Sequence, residues 1–224
     1  VARRADALAE SAAALPAPSA TYAADVGDPA AVGRAAADFI ARHGVPDIVI
    51  ANAGISVGTA GGDADDIPVL ERMLRTNVVG LAATLQPFVE PMRCRGDGIL
   101  VGVASVAGLR GLPGAGAYSA SKAAAIAWLE SLRVELRGSG VAVVTLCPGY
   151  IDTPMTRVNR YRMPFLLPAH EAARRFARVI EARRSYAIVP WQMAAVGYLL
   201  RRVPDRLYDA LAARAGRKPR NLPL

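Results

Sequence analysis

The sequence predicts an α/β fold with a doubly wound parallel sheet in three α/β/α layers. Two observations predict it. Short apolar runs without polar alternation recur along the chain, and longer helical stretches separate them. Strands that are apolar on both faces and alternate with helices belong in a parallel sheet covered on both sides. Ligands of such sheets bind beyond the carboxyl ends of the strands, so the residues after each strand are the ones to examine.

Taken in order, residues 5–15 are helical in composition and stop at Pro16, and 20–26 read as a short strand. Residues 29–43 form an Ala-rich helix closed by Gly44 and Pro46, followed by the buried strand DIVIAN at 47–52. A long helical region covers 67–95, and 99–104 is a continuous apolar strand. Residues 117–137 form a long helix that ends at Gly138, Ser139 and Gly140. The β-branched run 141–146 is a strand broken by Pro148 and Gly149. A helix at 171–184, a strand at 186–189 and two helices divided near Pro204 complete the chain. With no internal repeat and no linker, one domain is expected over 1–224.

Composition narrows the chemistry. The 224 residues are 53% apolar and 21% charged, the balance of a globular protein. Cys94 and Cys147 are the only cysteines, and His43 and His170 the only histidines. That leaves nothing for a disulfide scaffold, a zinc site or a histidine triad. Residues 157–224 carry 15 basic and 4 acidic groups, against 12 and 15 in residues 1–156. This basic end is either a solvated arginine face or a patch for phosphates, acidic ligands or a membrane surface. No signal peptide and no membrane-spanning run is visible, so cytoplasmic residence is expected.

The strand ends carry small or polar residues: Arg3 and Arg4, then Asp25 and Val26, then Asn52, Ala53 and Gly54, then Ser105, then Pro148 and Gly149. Ala53, Gly54 and Gly149 allow backbone to approach a flat ligand closely. Asp25 can accept from an exocyclic amine, and Arg3 and Arg4 can fork a phosphate. Together they describe a nucleotide lying across the strand ends. The sharpest signal is YSASK, Tyr118 to Lys122. Residues four apart share a helix face. A phenol titrates near 10 in water; a neighbouring ammonium is expected to lower that value, and together with a positive charge on a bound ligand to bring it near neutrality. Ser105 lies 13 residues upstream across a Gly-rich loop, and Asn77 sits within a helix.

These residues resemble the short-chain dehydrogenase/reductase family. Asn52, Ala53 and Gly54 look like its NAG motif, and Thr76 to Gly80 like its catalytic-Asn helix. Ser105, Tyr118 and Lys122 match its Ser-Tyr-Lys triad, and Pro148 to Thr153 its PG motif. The resemblance implies a Rossmann fold and an NAD(P)-dependent oxidoreductase acting on a carbonyl or secondary alcohol. By it, Tyr118 is the general acid/base, Ser105 holds the reacting oxygen, and Lys122 lowers the tyrosine pKa and binds the nicotinamide ribose. Asn77 helps hold a water leading to Lys122. Asp25 and Val26 contact adenine, Asn52, Ala53 and Gly54 pass the adenosine ribose, Ile151 and Thr153 anchor the carboxamide, and Pro148 and Gly149 also belong to the cofactor-binding set. Arg3, assisted by Arg4, implies NADP(H) rather than NAD(H). The long helices imply a homodimer or homotetramer. The family's first strand and its TGxxxGIG loop have no counterpart here, and we expect them to precede Val1 in the complete protein.

The resemblance implies a substrate lid over residues 154–185. Met155, Met163, Phe165, Leu166 and Leu167 stand among Arg157, Arg160 and Arg162, an apolar surface with a basic rim that suggests an apolar substrate, acidic or acyl-bearing. The extension 191–224 mixes apolar and basic residues. It can lie on an anionic membrane, cover the substrate site or pack on a neighbouring subunit. The rival to catalysis is a non-catalytic nucleotide sensor or scaffold on the same fold. A sugar-nucleotide epimerase needs a larger C-terminal domain, and nucleic-acid binding lacks a module.

Overall fold

The computed structural model describes residues 1–214 and 216–220. Helix α1 (Ala5–Ala13) buries none of its residues. Helix α2 (Pro29–His43) ends where its sequence dictates: Asp28 accepts from the Ala30 and Ala31 N–H groups, Pro29 opens the first turn, and Gly44 closes the last at φ 81°. Strand β1 (Ile48–Ala51) leads through a loop to α3 (Ile67–Leu74) and α4 (Gly80–Arg95). Then come β2 (Gly98–Val103), α5 (Gly116–Glu135) and β3 (Val141–Pro148). Beyond β3, β4 (Ile151–Asp152) pairs with β5 (Leu167–Pro168) around the short α6 (Pro154–Arg157). Helix α7 (Ala169–Glu181), β6 (Tyr186–Val189), α8 (Trp191–Arg202) and α9 (Asp205–Ala212) follow.

Strands β1, β2, β3 and β6 lie side by side in that order, all parallel. Their exits at Asn52, Ala104, Gly149 and Pro190 therefore share one edge. One face of the sheet packs Val49, Leu100 and Val143 against Ala36 of α2, Leu81, Leu85 and Met92 of α4, and Ala125 and Leu129 of α5. The other packs Ile99, Val101, Val144 and Leu146 against Phe176, Val179 and Ile180 of α7. Gly102 lies against α5, where a Cβ would stand 2.3 Å from Leu129 Cδ1.

Three local expectations change. The strand expected at 20–26 shrinks to a single parallel bridge between Ala2 and Ala23. The reason is local: Asp25 turns the chain, its Oδ1 accepting from Gly27 N–H at 2.8 Å and its carbonyl from Asp28 N–H at 2.9 Å, and delivers it into the α2 cap. The helix expected at 67–95 is interrupted by a π-helical turn at Arg75–Val79. Cover on both sheet faces fails at β1, where Ile48 is 43% and Ile50 49% exposed, because α7 lies over β2 and β3. An apolar groove of about 440 Å³ runs along β1, lined by Ala2, Val26, Phe39, Ile48, Ile50 and Ala53. Among the described residues no helix is long and apolar enough to cross a membrane.

Leu129→Ala should cost about 2–5 kcal/mol of stability in denaturant unfolding. Adding Gly102→Ala should restore part of that loss, because the new methyl enters the space the leucine vacated. Strict additivity of the two would contradict the packing described.

Candidate active site

Loops leaving β1 and β2 converge on the N-terminal half of α5, and the loop leaving β3 exits at the same sheet edge. The β1 exit exposes Asn52 and Ala53 and then turns inward at Gly54. A Cβ on Gly54 would stand 3.2 Å from Asn77 Oδ1 and 3.4 Å from Lys122 Nζ, so a small residue is needed there. Asn77, fully buried in the π-helical turn, clamps the next residue. Its Oδ1 accepts from Ile55 N–H at 2.8 Å, and its Nδ2 donates to Ile55 O at 3.0 Å and to Ser121 Oγ at 2.9 Å. Ser121 in turn donates to Tyr118 O at 2.8 Å. Both Asn77 donors are thereby spent, and only the second lone pair of Oδ1 is left for a water. An inserted residue in a helix is a frequent device at functional sites, because it turns a side chain out of the regular register.

At the β2 exit, buried Ser105 accepts from Ala107 N–H at 3.1 Å and opens a short 3-10 turn. That turn presses on α5 so closely that a Cβ on Gly108 would meet Lys122 carbonyl carbon at 2.6 Å. Tyr118 packs beside Val57, Met73 and Ala117. Lys122 is 4% exposed, donates to Val103 O at 2.8 Å and lies 5.9 Å from the Tyr118 ring centroid.

The electrostatics correct one expectation. Burial dominates at both groups and pushes the Tyr118 phenol up from 10.0, while a hydrogen bond from Ser105 acts the other way and the Cys147 thiol adds to the rise. Lys122 is itself drawn down to about 8, again chiefly by burial. The ammonium four residues along therefore does not make this phenol acidic by itself. Water is lost on both sides, and desolvation opposes charge on either group. Cys147, fully buried at the end of β3, donates to Tyr186 Oη at 3.3 Å, and its thiol is raised by burial.

The third wall follows β3. Pro148, Gly149 and Ile151 are half-buried, and α8 approaches so near that a Cβ on Gly149 would stand 2.7 Å from Met193 Cγ. Thr153 caps α6 in a reciprocal box with Thr156. Tyr150 and Tyr161 meet edge to face at 6.3 Å, and burial raises both phenols, Tyr161 to about 12.

The structure thus gathers Asn77, Ser105, Tyr118, Lys122 and Gly54, with Pro148 to Thr153 alongside. Arg3, Arg4 and Asp25 stand apart on the exposed rim, and Val26 is buried against Gly80 while lining the groove beside β1. Sequence reading missed the π-helical turn, the Ser121 link and the tyrosine pair, which depend on long-range contacts and leave no local signal. Of the three readings of 191–224, covering the site is the one its described residues follow. The extension expected over 191–224 forms α8 and α9, with residues 215 and 221–224 outside the described ones. It packs over the 105–116 loop: Arg110 donates to Val203 O at 2.6 Å and pairs with Asp205 at 2.7 Å, and Tyr208 donates to Gly111 O.

Residues 1–163 match the family described as short chain dehydrogenase. An uncharacterized oxidoreductase of Myxococcus xanthus is 41% identical over 174 residues, which is 78% of this chain and 68% of that protein. A 2-(R)-hydroxypropyl-CoM dehydrogenase of Xanthobacter autotrophicus is 35% identical over 136 residues, 60% of this chain and 54% of the relative, so this match spans about half of that protein's length. A solved short chain dehydrogenase/reductase from Burkholderia phymatum, in complex with NAD, superposes with a TM-score of 0.78 at 25% identity, covering 99% of this chain and 88% of that one. A second, from Burkholderia cenocepacia in complex with NADP, gives 0.71 at 27%, covering 86% and 76%.

Asn77→Ala should destabilise by about 1–3 kcal/mol, the cost of stranding buried backbone groups, and should accelerate amide exchange at Ile55. Unchanged protection at Ile55 would contradict the clamp. Lys122 predicts a pH effect. Its native amine titrates near 8 and its unfolded one near 10.5, so the unfolded chain holds more protons between them. Stability from this group therefore rises with pH through that window. Denaturant midpoints from about pH 7 to 10 should show a smaller rise in Lys122→Met than in wild type.

Proposed function

The chain belongs to the short-chain dehydrogenase family, and from that premise we propose that it is an NAD(P)-dependent oxidoreductase interconverting a carbonyl and a secondary alcohol. The single observation that carries this reading is the cluster of buried Ser105 and Lys122 with half-buried Tyr118 at the sheet edge, and buried Asn77 behind it. A nicotinamide cofactor fits the residues present. Ala53 and Gly54 offer a strand end without bulky side chains, the rim carries Asp25, Arg3 and Arg4, and Gly149 sits where any Cβ would meet α8. Asn52, Ala53, Gly54, Ile151 and Thr153 would hold the cofactor. When bound it supplies or accepts the hydride.

The chain's own residues handle the oxygen and the proton. Ser105 Oγ holds the reacting oxygen. Tyr118 Oη gives its proton to that oxygen in carbonyl reduction and takes it back in alcohol oxidation. A phenol raised by burial keeps its proton at neutral pH, which suits reduction. Lys122, still charged below about 8, favours the phenolate once the proton has left and donates to ribose hydroxyls. Asn77 keeps the β1 exit in register with both.

Arg3 and Arg4, both exposed just after the Ala2–Ala23 bridge, support a preference for NADP(H), since an arginine fork suits a ribose phosphate. The lid supports an apolar substrate: Met155, Phe165 and Leu166 are exposed on it. A non-catalytic nucleotide sensor would have no need of a tyrosine set beside a buried ammonium.

Fluorescence titration should give tighter binding of NADPH than of NADH, and Arg3→Ala should narrow the gap. Equal affinities in wild type would remove the NADP(H) preference. Tyr118→Phe should lower turnover of an apolar ketone by about 10²–10⁴-fold while largely sparing NADPH affinity. Retained turnover in that variant would remove the acid/base role.

A further inference from the structure

The described C-terminal segment 216–220 returns across the carboxyl edge of the sheet and is built into it. A Cβ on Gly58 would stand 2.1 Å from Lys218 O, and Gly58 N–H donates to Pro219 O at 2.9 Å. Arg220 pairs with Asp63 and, at 3.1 Å, with Asp66. Gly216 rests on Tyr161, and Arg217 covers Gly114 in the loop between Ser105 and Tyr118. The segment thus ties the β1 exit loop, the α5 entry loop and the lid to one another.

Lys218 is the residue this strap carries inward. Its Nζ donates to Ser56 Oγ at 2.9 Å and to Met155 O at 3.3 Å, so it bridges the wall after β1 and the wall after β4. Ser56 lies two residues from Gly54, which itself adjoins Lys122 Nζ. Both partners of Lys218 are neutral oxygens, which leaves one of the three ammonium N–H groups free. No carboxylate of the described residues forms an ion pair with it, whereas Arg220 on the same strap has two. Half-buried without a counter-ion, the amine is pulled down to about 8 by burial alone. A desolvated cation gains more from an anion than a solvated one does.

We propose that Lys218 is an anion-binding residue of the cleft, held there by the 216–220 strap to receive a phosphate or carboxylate oxygen of the bound ligand. The cleft is the one assigned above, and the inference rests on that reading for the ligand's place. The anion has two sources, the phosphates of the cofactor or a carboxylate on the carbonyl substrate, and binding experiments separate them.

Calorimetric titration of the full chain would use inorganic pyrophosphate, 3-oxohexanoate and the neutral ethyl 3-oxohexanoate as probes. At least one anion should bind Lys218→Met about tenfold or more weakly than wild type, the value of one charge-assisted bond, and Lys218→Arg should retain most of the affinity. Loss for pyrophosphate assigns the cofactor, and loss for the oxoacid but not its ester assigns the substrate. Gly58→Ala displaces the strap without changing any charge and should reproduce the loss. Anion affinities of Lys218→Met that match wild type, or that are absent in both, would overturn the proposal. NADPH titration by its own fluorescence reports separately on the oxidoreductase reading, because it does not depend on the anion probes.

Discussion

Everything at the sheet edge depends on one buried amide. Asn77 sits in a π-helical turn and spends its side chain on the backbone of Ile55 and on Ser121. A loop leaving a parallel strand has unpaired backbone groups and nothing to fix its height above the sheet. The clamp supplies that height. It sets Gly54 against Lys122 Nζ and, through Ser121, fixes the α5 turn that begins at Tyr118. The net worth of three such hydrogen bonds is modest, but a buried amide left unpaired is costly, so the arrangement tolerates few alternatives.

Charge in this cleft is governed by loss of water more than by pairing. Lys122 and Lys218 are both drawn down to about 8, and Tyr118 is raised. Neither amine has a carboxylate beside it among the described residues; their partners are carbonyl and hydroxyl oxygens. Such a site is primed for a ligand that brings negative charge, because an incoming anion meets cations already stripped of solvent. The surface arginines behave differently. Arg42, Arg93 and Arg174 pair with acids on their own helices in water, where such pairs contribute little.

The basic C-terminal part, ambiguous as a string of residues, becomes specific once folded. Arg110 reaches α8 and α9 with hydrogen bonds and an ion pair, and stacks its guanidinium over Tyr208 at 3.9 Å from the ring centroid. Its apolar residues divide: Met193 is buried beneath Gly149, whereas Trp191 and Tyr198 stay 71% and 64% exposed. The extension therefore acts first as a cover for the loop between Ser105 and Tyr118.

The sequence by itself determined the parallel α/β architecture, because runs such as GILVGV and VAVVTL are apolar on both faces, as strands of a sheet covered on both sides are. It also determined which residues follow the strands, since Gly54, Ser105 and Gly149 punctuate their ends, and it set Tyr118 and Lys122 on one helix face by spacing alone. Tertiary structure decided the rest. The π-helical turn at Asn77 follows from a long-range bond to Ile55 that no local periodicity encodes. The upward shift of Tyr118 follows from how much water its neighbours exclude, a quantity that spacing does not contain. The seating of Lys218 joins residues 56 and 218, a contact of 162 positions' separation, and its energy comes from the geometry of the closed cleft.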